Sequence, residues 1–277
     1  MSDTPTSDRP TSDTPTPDTP TGSRFALDPV EPPPSRWQFA VPASTGGPDL
    51  VAVGGDLAPG TVLAAYRAGL FPMGTGPGGR PPTGWWSPDP RGVLVPGELR
   101  VSRSLRRAVR RFDVTVDESF SEVVTACADP GRDGAWITRE IHDAYVELHR
   151  LGWAHSVEVR DPAGDLVGGL YGLALGGLFA GESMFHRVTD ASKVALVALC
   201  RIVADDGDPA RLVDVQWLTD HLASLGAREI PRSEYVRAVR RATPLVSPAG
   251  FARRAPVDDP GAGPAGPTGE RRGTPLR

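Results

Sequence analysis

An α/β (α+β) fold is what this sequence predicts, on three observations. From Ser156 onward an alternating strand, a hairpin turn, two glycine-joined apolar strands, a long apolar helix, a further strand and a further helix follow one another within about 80 residues. Between Asp49 and Leu70 the run DLVAVGGDLAPGTVLAAYRAGL reads as a short strand, a Gly-Gly turn and a helix, with Pro59 near the helix start and Gly69 at its end. The chain, 277 residues with 39% hydrophobic and 23% charged side chains, is long enough for one large domain or two small ones with real cores.

The two ends differ from this body. Residues 1–34 hold nine of the 30 prolines and an aspartate every five residues, at Asp3, Asp8, Asp13 and Asp18; residues 243–277 hold seven more prolines among Gly and Arg. Segments of this composition cannot bury enough apolar surface to offset their ordering entropy, so both are expected to be disordered tails around a body of about Ser35 to Ala242. The tails carry −4 and +2 of the net −4, which leaves the body near −2. That balance excludes a wholesale polycation of the histone type and leaves room for a local basic face. Lys193 is the one lysine among 30 basic residues, a bias that fits coding-sequence composition and carries no functional weight. Cys127 and Cys200, with no CxxC or histidine neighbour, suggest neither a zinc site nor a disulfide framework and read as small buried residues. No run of 18 apolar residues is present and the N-terminus is acidic, so a soluble, cytoplasmic protein is expected.

Within the body, FPMGTGPGGRPPTGWWSPDPRG after Leu70 is loop chemistry in which Phe71, Trp85 and Trp86 suggest a stacking or binding wall. From Leu99 to Phe112, Ser102 can cap a helix in which Arg103, Arg106, Arg107, Arg110 and Arg111 recur at three- and four-residue spacing. The result is one basic face, either merely solvated or suited to phosphates. A short strand, VTVD, and helices around Ser119–Cys127 and Arg139–Gly152 follow. Then come a strand over Ser156–Val159, the turn DPAGD, two strands joined at Gly176 and Gly177, a helix over about Asp190–Ala204, the strand RLVDVQW and a helix ended by Gly226. This order describes an α/β sandwich of the N-acyltransferase type.

Hydrolase and metalloenzyme readings find little support, because no local Ser–His–Asp or Cys–His set, no GxxxxGK[ST] loop and no HExxH spacing occurs. His142 and His149, seven apart in one helix, and His221 read as structural. Two acidic positions stand out. Glu182, in GLFAGESMF, falls inside an apolar strand and should face a cavity or meet a cation, because an unpaired buried charge costs several kcal/mol. Asp214 alternates with Gln216 in LVDVQW, which sends both side chains to one side of a strand. Such a carboxylate–carboxamide pair can hold an amine donor, or can be satisfied by backbone amides.

The segments VAVGGDLAP, AAYRAGLFP, WWSPDPRGVL, VSRSL, AWIT, HSVEV, LVGGLYG, GESMF, DASKVAL, DVQWLTDHLASLGA and EIPR, in this order, resemble the leucyl/phenylalanyl-tRNA–protein transferase family over roughly Pro48–Val239. The resemblance implies an enzyme that moves leucine or phenylalanine, and also methionine, from its tRNA to the N-terminal α-amine of proteins beginning with arginine or lysine, marking them for degradation. It implies a small N-terminal domain, placed here at residues 35–98, and a Gcn5-type N-acetyltransferase-like domain at 99–242. By the same resemblance Asp214 and Gln216 are the catalytic pair, with Gln216 accepting a hydrogen bond from the attacking amine. Leu170, Glu182 and Met184 line the aminoacyl pocket, and Tyr66, Met73 and Trp136 meet the terminal adenosine, where stacking is worth about 1–3 kcal/mol per base. The Arg103–Arg111 face gains the acceptor-stem phosphates as partner. No metal, cofactor or membrane is implied, and a monomer is the default. In two places the chain departs from the family: Met73 stands where an aromatic, commonly tryptophan, is usual, and Leu170 stands where methionine is common.

Two rivals remain. A CoA-dependent N-acetyltransferase shares the element order, but the stretch where its glycine-rich phosphate turn would lie, FHRVTDASKVAL, has no glycine. A non-catalytic aminoacyl-tRNA-binding module would not need Asp214, Gln216 and Glu182 together.

Overall fold

A computed structural model describes residues 26–41, 46–132, 134–251 and 253–254. The expectations for residues 1–25 and 255–277 lie outside the described residues.

A three-stranded antiparallel sheet forms the N-terminal layer, in the order β2 (Leu50–Val53), β4 (Thr83–Trp86), β3 (Phe71–Gly74). Helix α1 (Pro59–Ala68) joins β2 to β3, with Pro59 at its first turn and Gly69 closing it at φ 94°, as the sequence predicts. The glycine- and proline-rich run read as loop contains both β3 and β4. Pairing across their turn overrides local composition, because Gly74 tucks so closely that a Cβ there would lie 1.8 Å from the Gly79 carbonyl.

The chain then enters a seven-stranded sheet of order β11-β5-β10-β9-β8-β7-β6. Its strands are β5 (Arg91–Leu94), β6 (Asp113–Val116), β7 (Ala154–Arg160), β8 (Leu166–Leu175), β9 (Leu178–His186), β10 (Leu212–Gln216) and β11 (Arg228–Ile230). β5, which falls within the residues 35–98 expected as the N-terminal domain, is an inner strand of this sheet. One face carries α2 (Arg103–Val109) and the apolar α5 (Ala191–Val203); the other carries α3 (Phe120–Cys127), α4 (Arg139–Arg150) and the N-terminal layer. β8 is buried along its whole length because both faces are covered, so its sequence is a continuous apolar run rather than an alternation. Two short elements finish the body: α6 (Asp220–Ser224), capped by Thr219, and α7 (Arg232–Ala242), which packs on α1.

Every neighbouring pair in this sheet is antiparallel except β9 and β10. These two are joined by α5 and pair only over Leu178–Ala180 and Leu212–Asp214. Beyond Ala180 and Asp214 they separate, and the gap is the mouth of a cavity. The arrangement is compatible with the acetyltransferase-like architecture expected.

Parts of both expected tails pack on the body. β1 (Ala26–Leu27) pairs with β12 (Arg253–Arg254), Glu31 grips Arg67 at 2.7 and 2.9 Å, and the Val30 amide donates to the Leu151 carbonyl. Phe251 is buried against His155 and Phe179.

Candidate active site

The cavity between β9 and β10 has a volume of about 360 Å³. Leu170, Met184, Leu196, Leu199, Val213 and Leu222 form an apolar chamber, Phe71, Met73, Trp136 and Trp217 supply its aromatic and thioether wall, and Glu182 and Gln216 are its functional polar groups. Leu170 and Met184 face each other across the β8–β9 pairing. Of the five expected pocket and pair residues, Leu170, Glu182, Met184 and Gln216 line the cavity, and Asp214 is buried in contact with Gln216.

Asp214 is fully buried and every donor around it is specific. Arg91 Nε and Nη2 donate to its two oxygens at 2.8 and 2.6 Å, the Tyr235 hydroxyl donates to Oδ2 at 2.8 Å, and the Gln216 amide donates to Oδ1 at 3.0 Å. The Arg91 guanidinium lies between the Phe71 and Tyr235 rings, 4.8 and 4.3 Å from their centroids. Burial works against its charge, but Asp214 and Tyr235 outweigh burial and hold it firmly cationic. The pair is a buried clamp, with both side chains fully out of solvent.

The clamp acts on Gln216. A bulge against β5 falls between Asp214 and Gln216, and Gln216 takes φ 56°, a left-handed conformation uncommon outside glycine. Asp214 can only accept, so the Gln216 Nε2 group, 3.5 Å from Oδ2, faces it. The Gln216 carbonyl Oε1 is then the atom left for a ligand in the cavity.

Glu182 is also a bulge residue, in the β8–β9 register between Tyr171 and Gly172. It faces the cavity, as its sequence context predicts, and meets phenols rather than a cation. The Tyr66 hydroxyl donates to Oε1 at 2.5 Å and meets the Tyr145 hydroxyl at 2.6 Å. Burial pushes the Glu182 carboxyl up to about 7, opposed by those two hydroxyls.

Tyr66 corrects an expectation. It is fully buried beneath Glu182 and does not line the cavity, so its ring has no face to offer an adenine. Trp85 is likewise buried, its indole donating to the Gly54 carbonyl, and of the three loop aromatics Phe71 alone lines the cavity. Met73 and Trp136 do line it. Met73 is held from behind by the Trp86 indole on its carbonyl, and the 76–79 turn abuts Trp136 so tightly that a Cβ on Gly79 would sit 1.9 Å from the Trp136 carbonyl. Arg103, Arg106, Arg107, Arg110 and Arg111 are all exposed over α2 and the turn after it, above buried Leu105 and Ala108, and Ser102 caps the helix as expected. None of the five pairs with a carboxylate among the described residues.

Sequence reasoning missed Arg91, Tyr235, Tyr145 and Trp217. Arg91 and Tyr235 lie 123 and 21 positions from Asp214, and no local pattern announces such partners. His149 stacks on Phe120 at 4.2 Å, and His142 is paired with Asp143 at its own helix surface. Both cysteines are free and buried, with thiols pushed up by burial, to about 11 for Cys127 and about 12 for Cys200. Among the described residues no cluster of three or more His, Cys, Asp or Glu could hold a metal ion, and no helix is long and apolar enough to cross a membrane.

An apolar chamber opens where two parallel strands part, beside a carboxamide in contact with a buried ion pair, and this arrangement is compatible with an acyltransferase. The sequence profile described as leucyl/phenylalanyl-tRNA protein transferase matches residues 93–240, and that of the same family's N-terminal domain matches residues 55–89. The chain is 49% identical over 233 residues to a leucyl/phenylalanyl-tRNA–protein transferase of Cupriavidus necator, covering 80% of this chain and 90% of that one. It is 55% identical over 194 residues to one of Stutzerimonas stutzeri, covering 69% and 83%. The chain belongs to the leucyl/phenylalanyl-tRNA–protein transferase family and is an aminoacyltransferase. A solved structure of L-PGS from Bacillus licheniformis aligns with 58% of the chain at 11% identity and a TM-score of 0.33, too loose a match to carry an argument.

Proposed function

We propose that this chain transfers leucine or phenylalanine, and also methionine, from aminoacyl-tRNA to the N-terminal α-amine of proteins beginning with arginine or lysine, and that it does so in the cytoplasm as a monomer. One observation supports the reading: Asp214, bonded by Arg91 and Tyr235, lies 3.5 Å from the Gln216 Nε2 group, and Gln216 lines an apolar chamber of about 360 Å³. The ester of an aminoacyl-tRNA is already activated, so the protein needs chiefly to align amine and carbonyl. Gln216 Oε1 accepts a hydrogen bond from the attacking amine and fixes its approach, while Asp214 keeps the carboxamide from rotating. Leu170 and Met184 hold the aminoacyl side chain, with Glu182 at the chamber's polar edge. Met73 and Trp136 flank the terminal adenosine, and Arg103, Arg106, Arg107, Arg110 and Arg111 meet phosphates of the acceptor stem, contacts that are tolerant of sequence.

Incubation with tRNA carrying labelled leucine or phenylalanine and a peptide beginning with arginine tests this, with the same peptide beginning with alanine as control. Transfer to the arginine peptide alone is expected. Gln216→Ala should slow it by about 100-fold, the scale of a lost positioning contact. Transfer that survives both Asp214→Ala and Gln216→Ala within a few-fold would show the pair to be misassigned.

A further inference from the structure

Two carboxylates approach the cavity from neighbouring strands, and their surroundings set them apart. Asp214 has both oxygens occupied by Arg91, Tyr235 and the Gln216 amide. Glu182 lies on the cavity wall with Oε1 bound to Tyr66, and among the described residues no hydrogen bond reaches its Oε2. Of the described residues that line the cavity, Glu182 alone has a titratable side chain. Two acids so differently placed, one with both oxygens taken by donors and one on the cavity wall, suit divided roles.

The reaction needs a proton acceptor in this place. A protein N-terminus is largely an ammonium ion at neutral pH, and an ammonium ion has no lone pair with which to attack. Its conversion to an amide releases two protons. One can go to the departing ribose oxygen. The other needs a base, and a carboxamide such as Gln216 can accept a hydrogen bond but does not retain a proton.

We propose that Glu182 is the general base of the transfer, with Oε2 taking the first proton from the acceptor's N-terminal ammonium. The freed lone pair then forms the C–N bond at the ester carbonyl carbon. Collapse of the tetrahedral intermediate breaks the C–O bond to the ribose, the departing oxygen takes the amine's second proton, and Glu182 releases its own to solvent. Tyr66, itself backed by Tyr145, positions Glu182. The other groups facing Glu182 are Tyr171 on β8, Arg91 on β5, Asp214 on β10 and Tyr235 on α7. Burial, Asp214 and the phenols together leave the carboxyl close to neutral, where a general base works best.

The assignment rests on the transfer reaction proposed above, and the experiment separates the two. Single-turnover transfer of labelled leucine to an arginine peptide is followed at saturating donor and acceptor from about pH 5.5 to about pH 9. The wild-type rate should rise with pH through a limb near 7, because the base works in its ionised form. Glu182→Gln should lower the rate about 100-fold or more and abolish that limb, leaving only the limb of the acceptor amine near about 8, with KM for aminoacyl-tRNA within about threefold. Tyr66→Phe removes a donor from the ionised form and should move the limb to higher pH. A Glu182→Gln variant within about threefold of wild type with the limb in place, or a limb that Tyr66→Phe leaves unmoved, overturns the assignment while the transferase reading stands. A wild type that transfers no label overturns both.

Discussion

At neutral pH the Glu182 carboxyl weakens the fold that surrounds it. Its folded value of about 7 lies above the ordinary 4.5, so the folded protein favours the protonated form. The contribution is fully present below pH 4.5 and is lost as pH rises through 7, a total of about 3 kcal/mol. Glu182→Gln stays neutral throughout. Urea denaturation at about pH 8 should show the variant to be more stable than wild type by up to about 3 kcal/mol, with the gap closing at about pH 4. An equal gap at both pH values would mean that Glu182 does not titrate as buried carboxyls do. Asp214 is one half of a buried ion pair. Removing one partner of a buried pair leaves an uncompensated charge at a cost of about 3–5 kcal/mol, so the Arg91 clamp and its carboxylate must change together if they change at all. An acid amid apolar residues marked Glu182 in the sequence, whereas the alternation read along LVDVQW is broken by the bulge between Asp214 and Gln216, so that Gln216 joins Val213 and Val215 in lining the cavity. Nothing local revealed Arg91 or the buried face of Tyr66, because both follow from contacts 123 and 116 residues away.

The elements differ in how plainly they could be read. α1 and α2 carry their own punctuation, Pro59 with Gly69 and Ser102, and fold where that punctuation says. β3, β4 and β5 sit in a stretch rich in Gly and Pro, and their pairing depends on partners that composition does not display: β2 across from β4, and β10 and β11 on either side of β5. On α2 the buried pair Leu105 and Ala108 fixes which way the helix faces, so the arginines have no choice but solvent. If they meet acceptor-stem phosphates, each contact displaces a counterion. Replacing Arg107 and Arg110 by alanine should then weaken tRNA binding and reduce the slope of log affinity against log salt by about 2, without changing which peptides are accepted. Filter binding across a salt series measures this. A slope that stays at the wild-type value assigns the face to bulk solvent.

At the scale of the whole molecule the seven-stranded sheet divides two apolar clusters, one built on α5 and the other on α1, α3 and α4. The cavity lies where the parting of β9 from β10 interrupts that wall, so its apolar lining draws on both sides: Leu196 and Leu199 from α5, Phe71 and Met73 from β3. This explains how a small aromatic layer and a larger sheet come to share one site. The paired strands β1 and β12 form a separate two-stranded sheet. Since Ala26–Leu27 lie beside Arg253–Arg254, the described chain is nearly a closed ring, and the point at which it is cut is arbitrary with respect to the chemistry. A circular permutant that joins these two strands by a short flexible linker and opens in the exposed Asp161–Asp165 turn should therefore fold and transfer label at close to the parental rate, as chain ends at exposed turns usually allow.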